Sequence, residues 1–459
     1  MRIQEAAHAL HTDWCGSDVL FTGVSTDSRT LKQGDLFIAL SGEKFDGCKF
    51  IANAEKKGAV AAMVKQEAGN LDLVSRIPLV KVKDTRLGLG QLAAYWRERF
   101  SMPLVGITGS NGKTTVKEMV ASICRRAAAC NRMDETGVLS QVLATEGNLN
   151  NEIGVPQMLL RLRETHRYAV IEMGMNHTGE ISYLTQMAKP NVAVITNAGA
   201  AHIEGLGSVE AVARAKGEIF EGLDQQGTAV INADDAYAPL WRQFAGNRRL
   251  VDFGLGKYAQ VSAVFQASPT GSIITLKLPD GNEDVALQVS GEHNVLNALA
   301  AAAVAIGIGI NKQDIAAGLE SFKGVPGRMQ RKNGLHSATL IDDSYNANPE
   351  SVRAALAVLS AATGKKILVL GDMGELGKCS IELHRSIGKA ARLAGLDRLL
   401  TLGELSAYAA TEFGEGALHF KHIDELLIVA EKLLAADVTL LVKGSRFMQM
   451  ERVVKQFEI

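Results

Sequence analysis

The stretch PLVGITGSNGKTTVKEMVASICRR, residues 103 to 126, constrains the fold more than any other part of the sequence. An apolar strand runs into a glycine loop and then into a helix that begins near Lys113, an order typical of phosphate-binding loops. The familiar form of that loop, G-x-x-x-x-G-K-[ST], requires a glycine five positions before Gly112, where Ile107 stands instead. The sequence therefore predicts a shorter variant of the loop, with a plain strand-to-helix turn as the alternative.

The shorter loop still offers the groups that bind phosphates. Its backbone N–H groups would face an anion at the start of a helix, Lys113 would reach the outer phosphates, and Thr114 would hold Mg²⁺. The predicted nucleotide loop comprises Thr108, Gly109, Ser110, Asn111, Gly112, Lys113, Thr114 and Thr115.

Alternating strands and helices predict an α/β protein of three domains, since 459 residues exceed the size at which a single core stops growing. Residues 1–84 predict a small α/β domain. Residues 85–325 predict a central, mostly parallel sheet, with an antiparallel addition from about 249 to 289 and helices from 291 to 320. Residues 326–459 predict a Rossmann-like domain that lacks G-x-G-x-x-G.

Composition excludes several classes of function. A net charge of -1 provides no attraction to nucleic acid or to anionic lipid. The longest uncharged run, 294–310, is rich in Ala and Gly and contains Asn297, so we predict a buried helix and no membrane insertion. The five cysteines form no C-x-x-C pair and the N-terminus lacks a secretory signal, which indicates a cytoplasmic protein.

Two polar residues follow strands of the central domain. Glu172 ends YAVIE, and His202 follows NVAVITNAGAAH. The carboxyl ends of parallel strands share one edge, so a carboxylate and an imidazole there could bind Mg²⁺ beside the phosphates. A strand-end cap and a loop histidine are the alternatives.

A lysine falls within an apolar helical stripe. Val212, Ala213, Ile219 and Phe220 repeat with helical spacing, and Lys216 lies among them. Its amine could reach solvent, pair with a buried carboxylate, or be covalently modified.

Further polar clusters are compatible with substrate binding. The loop ATEGNLNNEIGVP carries Asn148, Asn150 and Asn151, which could bind a polar substrate or simply form a turn. Asn294 and Asn297 lie one turn apart at a helix start, which suits contacts to a base or ribose as well as capping. In the third domain, strands end at Asp343, Asp372 and the sequence KGSR, and NANPES also has the form of a helix start.

Taken together, these motifs resemble the Mur ligases. The resemblance runs from STDSR at residue 25 to the C-terminus and includes TGSNGKTT, GNLNNEIGVP, IEMGMNHTGEI, AHIEGLGSVEAVARAKGEIF, GEHNVLNALAA, DDSYNANPES and LVKGSR. The family's ATP loop has the short form T-G-x-x-G-K-[ST], which accounts for the missing glycine. Within the family, the motifs are most similar to those of the ligases that add D-alanyl-D-alanine.

The resemblance implies roles for residues of this chain. Glu172, His202 and Lys216 would hold Mg²⁺, with Lys216 carbamylated, and together with Lys113 they would form the catalytic set. The nucleotide would be held by Asn294, Asn297, Arg328 and Asp343. The UDP end of the substrate would be held by Ser25, Asp27, Ser28 and Arg29.

The implied reaction is ATP-driven amide formation between UDP-N-acetylmuramoyl-tripeptide and D-alanyl-D-alanine through an acyl phosphate. The first domain would hold the UDP-substrate, the second ATP, and the third would close over both. We expect a monomer in the cytoplasm, active in peptidoglycan synthesis.

Two rival interpretations remain open. One is another ligase of the same superfamily, either the enzyme that adds the diamino acid or a folate polyglutamate synthase; the first would be expected to carry D-N-P-R, which this chain lacks. The other is a nucleotide-binding switch that catalyses no ligation. One departure from the family is the segment near 126–144, which is longer than expected.

Overall fold

A computed structural model describes residues 1–42, 45–67, 76–129, 141–200, 203–268 and 271–459. His202 and most of the longer segment near 126–144 lie outside the described residues. The mixed α/β fold predicted from the sequence is confirmed, with three separate sheets of five or six strands. In the part of the chain that the structure describes, no helix is both long and apolar enough to cross a membrane.

The N-terminal part of the chain forms a small sheet with flanking helices. Its elements are α1 (Ile3–Ala9), β1 (Trp14–Cys15), β2 (Gly23–Ser25), β3 (Asp35–Ile38), β4 (Ser41–Gly42), β5 (Phe45–Asp46), α2 (Ile51–Lys56), β6 (Ala61–Lys65), β7 (Leu79–Val82) and α3 (Thr85–Arg97). The sheet order is β1-β7-β6-β3-β2, and only β1 pairs in the antiparallel direction. The Asp84 carboxylate begins α3 by accepting hydrogen bonds from Arg86 N and Leu87 N at 2.7 and 3.0 Å.

The central part forms a parallel six-stranded sheet. Its elements are β8 (Leu104–Thr108), α4 (Lys113–Ala129), β9 (Val142–Ala144), α5 (Gly154–Leu159), β10 (Tyr168–Glu172), α6 (Glu180–Ala188), β11 (Val192–Ile195), α7 (Ile203–Leu206), α8 (Val209–Gly217), β12 (Thr228–Asn232), α9 (Ala238–Ala245) and β13 (Arg249–Phe253). The order β13-β12-β11-β8-β10-β9 places β8 between β11 and β10. The chain order reverses at β8, and such a switch point opens a crevice at the carboxyl ends of the strands.

The antiparallel addition begins later than predicted. Residues 249–253, expected in it, form β13 instead, and β13 pairs in parallel with β12. The reason is that α9 carries the chain back across the sheet before β13, as a crossover to a parallel strand requires. The addition itself comprises β14 (Ser262–Ser268), β15 (Gly271–Leu278) and β16 (Gly281–Leu287).

Two helices follow the antiparallel strands and pack against the central sheet. They are α10 (Glu292–Gly307) and α11 (Lys312–Glu320). The predicted buried helix is confirmed, because α10 is buried along most of its length and shares a hydrophobic cluster with α4 and the central strands. Its many alanines allow this close approach, which brings the start of α10 beside the glycine loop.

The C-terminal part forms a second six-stranded sheet. Its elements are β17 (Gln330–Asn333), β18 (Thr339–Asp343), α12 (Pro349–Ser360), β19 (Lys365–Gly371), α13 (Ser380–Leu393), β20 (Arg398–Leu402), α14 (Ser406–Phe413), β21 (Ala417–Phe420), α15 (Ile423–Leu433), β22 (Val438–Lys443) and α16 (Glu451–Phe457). The order is β17-β18-β22-β19-β20-β21, parallel except for β17. The predicted strands that end near Asp343, Asp372 and KGSR are β18, β19 and β22, and the two edge strands were missed. The carboxyl ends of β18 and β22 face the central crevice, as the cavity that they share with it shows.

Candidate active site

The glycine loop between β8 and α4 has a backbone that requires glycine at two positions. Gly109 and Gly112 have φ angles of 152° and 83°, which residues with a side chain rarely adopt. A Cβ atom at Gly109 would overlap the Thr196 hydroxyl, and one at Gly112 would overlap the amide oxygen of Asn297. Helix α4 begins at Lys113, so the order strand, loop, helix is as predicted.

The segment that follows β11 holds the loop in place. Asn111 N donates to Asn197 Oδ1 at 2.8 Å, and Asn111 O accepts from Thr196 Oγ1 at 2.6 Å. Gly199 N donates to Ser110 Oγ at 2.9 Å. Both polar residues of the loop are therefore fixed from the neighbouring strand end. The sequence analysis missed Asn197, although a polar residue directly after an apolar strand was a usable signal.

The Lys113 ammonium lies over its own loop. Nζ donates to Gly109 O at 2.7 Å and lies 3.5 Å from Ser110 O. Burial lowers the pKa of Lys113, and the charges of Glu172 and Glu375 oppose that shift. A cation held at the mouth of a ring of N–H donors is placed to bind the outer phosphates of a nucleotide.

Glu172 lies at the carboxyl end of β10 and contacts two groups of the site. Its Oε2 accepts from Thr114 Oγ1 at 3.0 Å, and its Oε1 accepts from Asn150 Nδ2 at 2.8 Å. Arg328, from the segment before β17, donates to the same Thr114 hydroxyl at 3.3 Å. The carboxylate is almost fully buried, with 2% of its surface exposed. It is thus neither a simple strand-end cap nor a surface group.

The oxygens of Thr114 and Glu172 suit a hard cation such as Mg²⁺, which prefers oxygen ligands and usually retains several waters. Among the described residues, no cluster of three His, Cys, Asp or Glu side chains is placed to hold a metal ion. His202, a further predicted ligand, lies outside them. The oxygens of Thr114 and Glu172 would therefore fit an ion that they share with nucleotide phosphates.

Lys216 lies on α8 within the predicted apolar stripe and is buried. Its exposed fraction is 1%, and no described residue forms a hydrogen bond or ion pair with its ammonium group. Burial, followed by the positive charge of Lys113, lowers its pKa far below the usual value of a lysine. The alternative in which the amine reaches solvent is therefore contradicted.

The two asparagines of α10 connect that helix with the glycine loop. Asn294 Nδ2 donates to Ser290 O at 2.8 Å, and Asn297 Nδ2 donates to Asn294 Oδ1 at 3.1 Å. The amide oxygen of Asn297 is the atom that excludes a side chain at Gly112. The Asn297 amide therefore lies beside the phosphate loop, and both asparagines line the same cavity as that loop.

In the C-terminal part, Asp343 is paired and not free. Its Oδ2 accepts from Lys443 Nζ at 2.5 Å, and its Oδ1 accepts from Met329 N at 3.1 Å. The Arg328 guanidinium stacks on the ring of Tyr345 at 4.2 Å, a contact that the sequence analysis missed. Asp372, by contrast, caps α14 through the backbone N–H groups of residues 404 to 406 and is structural.

These groups surround a cavity of about 1180 Å³ between the central and C-terminal sheets. Of the predicted site residues, the cavity is lined by Ser110, Asn111, Gly112, Lys113, Thr115, Asn148, Asn150, Asn151, Glu172, Asn294, Asn297, Arg328 and Asp343. Asn151 lies just before α5, and its Oδ1 accepts from Gly154 N at 2.9 Å. Asn148 is exposed. Of the three asparagines, Asn150 is the one that contacts a predicted metal ligand, Glu172.

The loop STDSR does not line this cavity. Arg29 forms a bidentate ion pair with Asp27, at 2.7 Å in its shortest contact, and these hydrogen bonds lower the pKa of Asp27 to about 2. Ser25 Oγ donates to Asp27 O at 3.0 Å, and Ser28 Oγ accepts from Asn53 Nδ2 at 3.3 Å. The predicted UDP-binding residues therefore form a separate cluster in the N-terminal part.

Three protein-family models match the chain. They are the Mur ligase family catalytic domain at residues 20–97, the Mur ligase middle domain at 107–305, and the Mur ligase glutamate ligase domain at 327–446. Together the matched ranges span all three sheets.

Individual proteins agree with the family models. The UDP-N-acetylmuramoyl-tripeptide–D-alanyl-D-alanine ligase of Escherichia coli (strain K12) is 41% identical over 99% of this chain and 98% of its own. Among solved structures, MurF from Acinetobacter baumannii is 36% identical with a TM-score of 0.89, covering 98% of this chain and 97% of its own. MurF from Thermotoga maritima in complex with ADP is 27% identical with a TM-score of 0.82, covering 96% and 98%.

Proposed function

Because the chain belongs to the Mur ligase family, we propose that it is an ATP-dependent ligase that joins D-alanyl-D-alanine to UDP-N-acetylmuramoyl-tripeptide. The observation that carries the proposal is the arrangement of phosphate loop, Lys113 and Glu172 in one cavity, in a chain similar over its whole length to ligases of that name. We propose that it acts in the cytoplasm, because its product, UDP-N-acetylmuramoyl-pentapeptide, belongs to peptidoglycan synthesis. We propose that it acts as a monomer.

The reaction proceeds in two steps. The terminal carboxylate of the tripeptide attacks the γ-phosphorus of ATP, the bond from that phosphorus to the β-γ bridging oxygen breaks, and an acyl phosphate and ADP form. The amine of D-alanyl-D-alanine then attacks the acyl carbon, loses a proton, and expels inorganic phosphate. Phosphorylation is required because a carboxylate is a poor acyl donor.

In the first step, residues of the cavity place positive charge beside the ATP phosphates and the substrate carboxylate, which are both anionic. The Lys113 ammonium and the N–H groups of residues 109 to 113 hold the phosphates, and the Arg328 guanidinium adds a further cation. Preorganised donors of this kind stabilise the charge that develops in phosphoryl transfer. Asn294 and Asn297 orient the nucleotide, and the Lys443 ammonium holds Asp343 in position.

Thr114, Glu172 and His202 would hold Mg²⁺ together with Lys216, and bound Mg²⁺ would supply neutralisation of the negative charge of the phosphates. Lys216 is proposed to carry a carbamate. Its buried amine, of lowered pKa and without a polar partner among the described residues, has the reactivity that addition to carbon dioxide requires. The resulting carboxylate would also be stabilised electrostatically, because its negative charge lies near the Lys113 ammonium group.

The three parts of the chain are proposed to bind different ligands. We assign the UDP end of the substrate to residues 1–84, where Ser25, Asp27, Ser28 and Arg29 form their own cluster. ATP is assigned to residues 85–325, and closure over ATP and the dipeptide to residues 326–459. Asn148, Asn150 and Asn151 lie at the wall of the cavity and are proposed to face the peptide of the UDP-substrate.

Phosphate release by the purified protein tests the proposal. The assay contains ATP, Mg²⁺ and UDP-N-acetylmuramoyl-tripeptide, with diaminopimelate or lysine as the third residue, and is run with and without D-alanyl-D-alanine. We expect turnover with all components and the mass of the pentapeptide product. No turnover with either tripeptide, but turnover with the dipeptide precursor or a folate, would identify one of the related ligases instead.

A further inference from the structure

The first turn of α12 in the C-terminal part reaches across to the phosphate loop of the central part. Asn348 caps this helix, with its Oδ1 accepting from Ser351 N at 2.9 Å. The Nδ2 of the same side chain donates to Asn111 Oδ1 at 2.8 Å. The Asn348 amide thus caps a helix of the C-terminal part and donates a hydrogen bond to the phosphate loop of the central part.

Glu350, two residues further along, makes a second contact across the same boundary. Its Oε1 and Oε2 accept from Ala200 N at 2.8 and 2.9 Å. A Cβ atom at Gly199 would stand 2.6 Å from Glu350 Oε2, so the carboxylate lies directly against the backbone of this segment. Glu350 is half-buried and lines the main cavity.

The segment that Glu350 contacts is the one that fixes the phosphate loop. Gly199 N donates to Ser110 Oγ, and Ser110 Oγ lies 3.3 Å from Gly199 O. A short path of contacts therefore leads from Glu350 through residues 199–200 to the loop. Without the Glu350 carboxylate, Ala200 N would lose its acceptor, and Ala200 directly follows Gly199, the residue that contacts Ser110.

The Glu350 carboxylate lines a cavity that must bind ATP and a substrate carboxylate, and its negative charge would repel both. The start of α12 is already capped by Asn348 and does not need Glu350 for that purpose. A hydrogen bond from an N–H group to an ionised carboxylate is stronger than one between neutral groups. The hydrogen bond from Ala200 N to the ionised Glu350 carboxylate is thus stronger than the same bond to a neutral side chain would be.

We propose that Glu350 is a positioning residue for nucleotide binding, acting from the C-terminal part through residues 199–200 on the phosphate loop. This inference rests on the proposed function, because it concerns the same nucleotide site.

Calorimetric titration of the full-length protein with ADP and Mg²⁺ tests the inference. Loss of one charge-assisted hydrogen bond predicts about tenfold weaker ADP binding for Glu350→Ala. Glu350→Gln keeps a neutral acceptor, so about threefold weakening is expected. The matched control is Glu382→Ala, which removes an exposed acidic residue from the first turn of α13 in the same sheet unit and is expected to bind as the wild type does.

Kinetics separate positioning from a general structural effect. In Glu350→Ala the KM for ATP should rise about tenfold while the KM for UDP-N-acetylmuramoyl-tripeptide changes less than about twofold. Wild-type ADP affinity in a folded Glu350→Ala protein would overturn the inference alone; if that variant does not fold, wild-type affinity in Glu350→Gln would do so. Absence of ADP binding by the wild-type protein would instead overturn the proposed function together with this inference.

Discussion

Thr114 of the phosphate loop donates a hydrogen bond to Glu172 at the end of the neighbouring strand, with 3.0 Å between Oγ1 and Oε2. The hydroxyl comes from the first turn of α4 and the carboxylate from β10, so their contact depends on the parallel pairing of β8 with β10. Arg328 reaches the same hydroxyl from the C-terminal part. Three elements therefore meet at Thr114 and Glu172, the two described side chains that are proposed to hold Mg²⁺.

Glu172→Gln should therefore lower kcat/KM by roughly 100-fold, because an amide oxygen cannot neutralise a divalent cation as a carboxylate does. Phosphate release measured against Mg²⁺ concentration would show the loss and a higher Mg²⁺ requirement. The matched control is Glu146→Gln, an exposed carboxylate paired with Arg161. A Glu172→Gln enzyme with the Mg²⁺ dependence of the wild type would remove Glu172 from the metal site.

Lys216→Ala should abolish ligation, and added short carboxylic acids should restore part of it by supplying the missing carboxylate. The reason is that the buried amine has no polar partner among the described residues, which a carbamate would account for. Product formation with and without added acid measures the effect. Lys432→Ala, which removes an exposed helical lysine, is the control and should be neutral. Full activity of Lys216→Ala without added acid would refute the proposed role.

The sequence predicted those features that depend on short segments. The buried strands β8, β10, β11 and β12 are continuous apolar runs, and a parallel sheet buried on both faces favours such runs. The glycine loop was identified because Gly109 and Gly112 serve a local backbone requirement. The edge strands β9 and β17 were missed, since one has three residues and the other is polar and half-exposed.

Contacts between distant residues could not be predicted in the same way. The pair Asp343 and Lys443 is separated by 100 residues, and each lies at the end of a different strand. NANPES was correctly predicted as a helix start, and Asn348 caps that helix with its oxygen, but nothing local indicates that its nitrogen reaches Asn111. Such contacts follow from the docking of two sheet units, which sequence periodicity does not describe.

Gly112→Ala should impair nucleotide binding more than its backbone strain alone predicts. The residue has a φ of 83°, and its new Cβ would also overlap the Asn297 amide oxygen. Gly309→Ala is a close control, because Gly309 has a φ of 78° and open space around its Cβ position. Each substitution should cost about 1–2 kcal/mol of stability from strain, but only Gly112→Ala should lose ADP affinity by calorimetry. Equal ADP binding by both variants would contradict the assignment of Gly112 to the loop.

His384 should make the C-terminal part less stable in mild acid. The ring is fully buried, Nε2 accepts from Met373 N at 3.0 Å, and Nδ1 donates to Ser380 O at 2.7 Å, an arrangement that requires the neutral form. Burial lowers its pKa below 6.5, opposed by the hydrogen bond to Ser380 and the charge of Asp372. The unfolded chain therefore binds the proton more readily, so this contribution to stability is complete above about pH 6.5 and is lost as the pH falls through the lowered pKa. Thermal unfolding between pH 7.5 and 5 should show a smaller pH dependence in His384→Gln than in the wild type or in the exposed control His422→Gln, and identical slopes in all three would show that His384 does not carry the effect.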